Sequence, residues 1–223
     1  MLCLGIESTA HTFGVAICDE HGEFLANERS VYSPPKGWGI IPNEAAKHHQ
    51  SVARLVLKKA MKKAGVELKD VDVLAFSQGP GLPPCLRVGR DLTVELARRL
   101  KKPLYGVNHC VAHVEIGLLS TRASDPVTCY VSGGNTQIIA FVANRYRCFG
   151  ETIDIALGNA LDTFAREAGL EMPGGPKIEE LAKHGSYVSL PYVVKGMDLS
   201  FTGIITEAIR KLRQGCKLED LCY

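Results

Sequence analysis

The chain has 223 residues, 46% apolar and 22% charged, with a formal net charge of +2. That composition is globular and excludes a disordered tail, a collagen and a coiled coil. No apolar run reaches the roughly 18 residues of a membrane helix, and the charge is too near neutral to argue for or against a nucleic-acid partner. The opening Met1-Leu2-Cys3-Leu4-Gly5-Ile6-Glu7 lacks a basic n-region, so no signal peptide is expected. No two of the eight cysteines have the spacing of a zinc knuckle or a redox motif, and several sit in apolar runs. A reducing, cytoplasmic compartment fits such free thiols.

Residues 2–7 predict a first strand, 8–12 a small polar turn, 13–18 a second strand, 19–22 a second turn and 23–30 a third strand. The Pro/Gly stretch 33–39 must be loop. Residues 42–65 have helical periodicity, carried by Ala46, Val52, Ala53, Leu55, Val56, Leu57 and Ala60 and closed by Gly65. A buried strand is expected at 71–76, a helix at 86–100, a strand at 104–107 and a helix at 108–119. At Val127 the pattern restarts, with strands at 127–131, 137–142 and 146–151 around the polar turn 132–136 and the tighter turn 143–145. This is the same three-strand meander, displaced by roughly 125 residues, and it marks an internal duplication. Helices follow at 155–169, 176–184 and 201–214. The first copy continues into helix-separated strands and the second does not. The expected organisation is an α/β fold of two lobes, 1–125 and 126–223, with the second incomplete.

His109 and His113 stand four apart, so on a helix they share one face and can grip one metal ion. They open a helix directly after a strand, where α/β folds place ligands. Cys110 occupies the position where a zinc protease helix carries glutamate, which argues against that chemistry. Two ordinary packed histidines are the alternative, and a third ligand would be a carboxylate, Tyr130 or Cys110. The turns at Ser8, Thr9, His11 and Thr12 and at residues 132–136 suit phosphate, because small residues let backbone N–H groups approach an anion. Tight hairpin turns look alike. Residues 79–84 and 172–179 each set glycine and proline before a helix, a candidate anion site or a stiff connection. Asp162 lies mid-helix, unexplained by packing. The basic clusters Lys58-Lys59, Lys62-Lys63 and Arg98-Arg99 read as solvated faces or as a nucleic-acid footprint.

Taken together, several runs resemble one family: Gly5-Ile6-Glu7, Ala10-His11-Thr12, Gly79-Pro80-Gly81, Val107-Asn108-His109, Ala112-His113-Val114-Glu115, Tyr130 to Thr136, Gly150 to Ala156, Pro173-Gly174-Gly175-Pro176 and Lys195-Gly196-Met197-Asp198. The chain is similar, along its whole length, to the universal tRNA threonylcarbamoyladenosine transferases, and within them to the archaeal and eukaryotic catalytic subunit of the KEOPS complex. The resemblance implies a duplicated ASKHA (actin/Hsp70-like, RNase H-like) fold. It implies an enzyme that passes the threonylcarbamoyl group of threonylcarbamoyl-AMP to the exocyclic amine of the adenine beside the anticodon of tRNAs reading ANN codons. By the same resemblance His109, His113 and Tyr130 hold one divalent metal per subunit, iron or zinc. Tyr130, Val131, Ser132, Gly133, Gly134, Asp162, Gly175 and Glu179 contact the adenine nucleotide or threonylcarbamoyl-AMP. No catalytic residue is implied beyond these ligands.

The family continues past the point matching Tyr223 and there supplies a nucleotide-contacting Asn and a metal-binding Asp. The expectation is therefore an incomplete site, inactive alone. The implied partners are tRNA, the small dimerising KEOPS subunit on helices 42–65 and 86–100, and the KEOPS kinase subunit, with no membrane. Leu57 and Val52 are expected to face the small subunit. Competing readings are a non-catalytic partner-docking fragment, a metallopeptidase and an ASKHA kinase.

Overall fold

A computed structural model describes residues 1–35 and 38–223. The chain forms two compact units, Met1–Arg122 and Ala123–Tyr223. Among the described residues no helix is long and apolar enough to cross a membrane.

In the first unit, β1 (Leu2–Glu7), β2 (Thr12–Asp19) and β3 (Phe24–Val31) form an antiparallel meander. β4 (Val73–Gly79) and β5 (Leu104–Asn108) extend it in parallel, giving the order β3-β2-β1-β4-β5. The parallel crossovers run through α1 (Pro42–Ala64) and α2 (Pro83–Leu100), and α3 (His109–Thr121) leaves β5 directly. Alternation along the strands decides which face meets the helices. Leu4, Ile6, Phe13, Val15 and Ile17 are buried against Ala53, Val56, Leu57 and Ala60 of α1 and Leu92, Leu96 and Ala97 of α2. On the alternate register, Cys3 stands opposite Cys18 across β1 and β2.

Most expected elements are present, with shifted ends. α2 begins three residues before the expected start because Pro83 and Pro84 fill its first turn, where a missing N–H costs nothing. Gly65 closes α1 at φ 69°, a left-handed value that glycine adopts without a Cβ clash. Leu57 does not face a partner: it lies in the core, and Leu55 is the exposed leucine of that turn, at 54%. Of the loop expected at 33–39, Lys36 and Gly37 lie outside the described residues.

In the second unit, β6 (Thr128–Val131), β7 (Thr136–Val142) and β8 (Arg145–Glu151) form another antiparallel meander. Ala143 and Asn144, at φ 52° and 60°, make the two-residue turn between β7 and β8, a mirror-image geometry that matches strand twist. α4 (Leu157–Glu167), α5 (Gly174–Ala182), α6 (Thr202–Arg213) and α7 (Leu218–Cys222) pack around Phe164, Ala165, Ile178, Ala208 and Leu221. A short hairpin, β9 (Val194–Lys195) and β10 (Asp198–Leu199), precedes α6. This hairpin, α7 and the 3-10 turn at Leu68–Asp70 were not expected from sequence.

Candidate functional site

In the first unit the parallel strands β1, β4 and β5 end at Glu7, Gly79 and Asn108, the edge where open α/β sheets bind ligands. Asn108 caps α3 with its own side chain: Oδ1 accepts the N–H groups of Cys110 at 2.9 Å and Val111 at 3.2 Å. That cap fixes the helix start, so His109 and His113 fall on one face, with ring centroids 4.5 Å apart and planes nearly perpendicular at 86°. Glu7 Oε1 stands 4.0 Å from His109 Nδ1 and accepts the Thr9 N–H at 2.7 Å as well as the Thr9 hydroxyl. Burial, and then the neighbouring His113, lower the His109 pKa against an opposing pull from Glu7. The imidazole is held neutral near pH 7, the form that binds metal.

The donor set fits a metal ion in part. Two imidazoles side by side supply two ligands. Among the described residues no group of three His, Cys, Asp or Glu side chains forms. A divalent ion at His109 and His113 must complete its shell with other donors.

The turn at residues 8–12 is built from the inside. Ser8 and Thr9 are buried. The Thr9 carbonyl accepts from Leu82 N–H at 2.7 Å and the His11 carbonyl from Tyr32 N–H at 2.8 Å. The expected residues Ser8, Thr9, His11 and Thr12 thus do lie together beside Glu7. Glu7 itself was missed as a neighbour of His109; the signal available was an acid at the end of an apolar strand.

The second unit carries the other expected cluster. Ser132 N–H donates to the Asn135 carbonyl at 2.8 Å, and Asn135 N–H donates to Ser132 Oγ at 3.0 Å, which closes the turn. Gly133 and Gly134 have open space where a Cβ would stand. The start of α4 is seated on this turn. Thr136 Oγ1 accepts the Leu157 N–H at 2.9 Å and the Ser132 carbonyl accepts the Gly158 N–H at 3.2 Å. A Cβ on Gly158 would lie 2.6 Å from that carbonyl, so only glycine allows the approach. Thr136 was read from sequence only as part of the turn, and Gly158 was not singled out, because their partners are more than twenty residues away along the chain.

Asp162 is not idle in packing terms, contrary to the expectation from sequence. Its Oδ1 accepts the Gly174 N–H at 2.8 Å and so caps α5, whose own preceding residue, Pro173, offers no side-chain acceptor. This brings Asp162 to the Gly174-Gly175 corner, while Glu179 lies exposed further along α5. Tyr130 is buried and Val131 exposed at the end of β6. Asp154 ties the loop before α4 to the start of α6, accepting from Ser200 Oγ at 2.6 Å, Phe201 N–H at 3.0 Å and Thr202 N–H at 3.0 Å. Burial pushes its carboxyl up, but these bonds outweigh it and hold the group far below the usual carboxylate range.

A family model described as tRNA N6-adenosine threonylcarbamoyltransferase matches residues 23–223. The protein of that description from Methanopyrus kandleri is 55% identical over all of this chain and 66% of its own length; that from Thermococcus sibiricus is 58% identical over all of this chain and 68% of its own. A Methanocaldococcus jannaschii relative described as a "Probable bifunctional tRNA threonylcarbamoyladenosine biosynthesis protein" is 54% identical over all of this chain and 41% of its own length. The chain therefore spans about two thirds, or less, of the relatives it matches. Among solved structures, (R)-2-hydroxyglutaryl-CoA dehydratase component A from Acidaminococcus fermentans matches all of this chain and 72% of that one, at a TM-score of 0.58 and 12% identity. The activator of 2-hydroxyisocaproyl-CoA dehydratase from Clostridium difficile matches all of this chain and 69% of that one, at 0.52 and 14%. At these identities the likeness shows the fold alone.

Proposed function

The chain belongs to the tRNA N6-adenosine threonylcarbamoyltransferase family, and on that premise we propose that it takes part in transfer of a threonylcarbamoyl group from threonylcarbamoyl-AMP to the exocyclic amine of a tRNA adenine. The observation that carries the reading is the His109–His113 pair beside Glu7 at the carboxyl edge of the parallel strands. A carbamic–phosphoric anhydride already has a good leaving group, so the task is positioning and charge stabilisation rather than covalent catalysis. When bound, a divalent metal supplies Lewis acidity toward an oxygen of the transferred group.

The chain's own residues divide the rest. His109 and His113 hold the metal through their imidazole nitrogens. Tyr130, which the resemblance adds to that set, is tested by Tyr130→Phe. The turn at Ser8, Thr9, His11 and Thr12 offers the N–H groups of Ala10 and His11 to anionic oxygens, the Thr9 N–H being held by Glu7. Val131, Ser132, Gly133, Gly134, Asp162, Gly175 and Glu179 hold the nucleotide. The open space at Gly133, Gly134 and Gly175 supports this, since nothing there blocks close approach. The Asp162 carboxylate keeps a second oxygen beyond the one spent on Gly174.

We further read the two units as the lobes of a duplicated fold, residues 1–125 and 126–223, with the second incomplete. The recurrence of an antiparallel meander as β1–β3 and β6–β8 supports it. The proposed setting is the cytoplasm, with tRNA, the KEOPS kinase subunit and the small dimerising KEOPS subunit. For the last, the exposed side of α1 and α2 is the candidate contact. Arg54 and Glu95 bridge the two helices there at 2.9 Å, beside exposed Leu55. Leu55→Asp, not Leu57→Asp, should abolish pull-down of the small subunit without unfolding the chain.

The decisive experiment supplies unmodified tRNA, threonylcarbamoyl-AMP and the other complex subunits and measures the modified nucleoside by mass spectrometry. Product lost in His109→Ala supports the reading. No product from this chain, with product from a relative of full length, makes this chain a partner-docking fragment.

A further inference from the structure

His49 lies on α1 with no exposed surface, and its Nε2 is 2.9 Å from the carbonyl oxygen of Ala10. A carbonyl only accepts, so this Nε2 carries the hydrogen. In a neutral imidazole the other nitrogen is then an acceptor. Facing it at 3.3 Å is Nδ1 of His48, which must therefore donate. That leaves His48 Nε2 as an acceptor, and Ser30 Oγ stands 3.0 Å from it with a hydroxyl to give. The four groups form one directed chain, Ser30 to His48 to His49 to Ala10. Burial lowers the His49 pKa, and Phe13 packs on the ring at 5.6 Å, so the neutral form is the stable one.

The receiving end of this chain is the turn at residues 8–12. Three successive carbonyls there are tied down from three different elements: Thr9 by Leu82 before α2, Ala10 by His49 of α1, and His11 by Tyr32 after β3. In a planar trans peptide the N–H points opposite to the C=O of the preceding residue. The only cis bonds described are at Pro80 and Pro173, so these peptides are trans. Leu82 thus sets the direction of the Ala10 N–H, and His49 sets that of the His11 N–H. Among the described residues no acceptor takes either N–H.

We propose that His49 is a positioning residue for the transfer reaction, which by holding the Ala10 carbonyl aims the His11 N–H, next to that of Ala10, at an anionic oxygen of the adenylate. This rests on the nucleotide reading of residues 8–12 given above. His49 touches no substrate; it acts through the backbone of the turn.

Two variants separate positioning from bulk stability. His49→Leu fills the space and removes the donor, whereas His49→Gln keeps an N–H donor on a side chain of similar reach. In the assembled complex, His49→Leu should raise the KM for threonylcarbamoyl-AMP by about tenfold with kcat little changed. His49→Gln should restore most of it. A folded His49→Leu with wild-type KM overturns the proposal, as does a fall in kcat and thermal midpoint that His49→Gln shares in full. Should His49→Leu not fold, nitrogen-15 spectra of the wild-type imidazoles decide: hydrogen on Nε2 of His49 and Nδ1 of His48 supports the proposal, and hydrogen on Nδ1 of His49 overturns it. A wild-type complex with no transfer at all sinks the transferase reading and the catalytic half of this proposal with it, while the spectra still decide whether His49 holds the turn.

Discussion

Gly89, on the face of α2 turned to the sheet, makes room for the buried hydroxyl of Ser8: a Cβ added to it would collide with Ser8 Oγ and lie 3.1 Å from Ser8 Cβ. α2 is thereby packed directly on the exit of β1. Gly89→Ala should destabilise the chain by about 1–3 kcal/mol, the usual range for overpacking. Pairing it with Ser8→Ala removes the hydroxyl and should recover part of the loss. Urea midpoints of the two single variants and the double variant measure the coupling.

Asp162 combines a structural bond with a proposed ligand role, and two substitutions divide them. Asp162→Ala leaves the start of α5 without its acceptor and should cost about 0.5–2 kcal/mol, as for a lost helix cap. Asp162→Asn keeps an oxygen for the Gly174 N–H and should stay near wild-type stability while losing affinity for AMP. Equal affinity in Asp162→Asn and wild type, by calorimetric titration, would remove the carboxylate from the nucleotide site.

Metal content tests the histidine pair independently of turnover. The chain purified with iron or zinc present should carry metal, and His109→Ala or His113→Ala should each abolish it, because one imidazole is too few. Cys110→Ser should retain it, since one position along α3 from His109 lies off the helix face that His109 and His113 share. Elemental analysis by mass spectrometry reads all three.

Acid should weaken the second unit through Asp154. Its folded carboxyl lies far below the ordinary value near 3.9. Between those two values the unfolded chain binds more protons than the folded one. The Asp154 contribution is therefore complete above about pH 4 and is lost as the pH falls toward the folded value. Asp154→Asn should be less stable than wild type at neutral pH, and the gap should close below about pH 4. A constant gap in denaturant titrations across that range would contradict this account.

The strands and the polar turns were legible because their signal is local. Alternation in Phe13, Val15 and Ile17 and small residues at 132–136 need only neighbours in sequence to be recognised. The i, i+4 spacing of His109 and His113 was equally local, and Asn108 before them is an ordinary helix cap. What escaped was capping at a distance. The starts of α4, α5 and α6 have no side-chain cap from their own preceding residue. Thr136, Asp162 and Asp154 serve instead, from 12 to 48 residues away. No short-range pattern marks such a residue, so Asp162 looked unexplained and Asp154 looked like loop. Leu57 failed for another reason: Leu55, Val56 and Leu57 are consecutive and apolar, and periodicity alone does not say which of them faces outward.

The turn at residues 8–12 also says something about the order in which the molecule can be assembled. Its three tethers come from chain positions 32, 49 and 82, so the hairpin of β1 and β2 cannot set the turn alone. The meander closes over short distances, but the Leu82 tether waits for the parallel crossover that brings β4 beside β1, a contact of long sequence separation and slow formation. A chain can thus hold most of its hairpins and helices while its ligand-facing backbone is still undirected. The backbone of that turn is directed only when β3, α1 and the start of α2 are all in place.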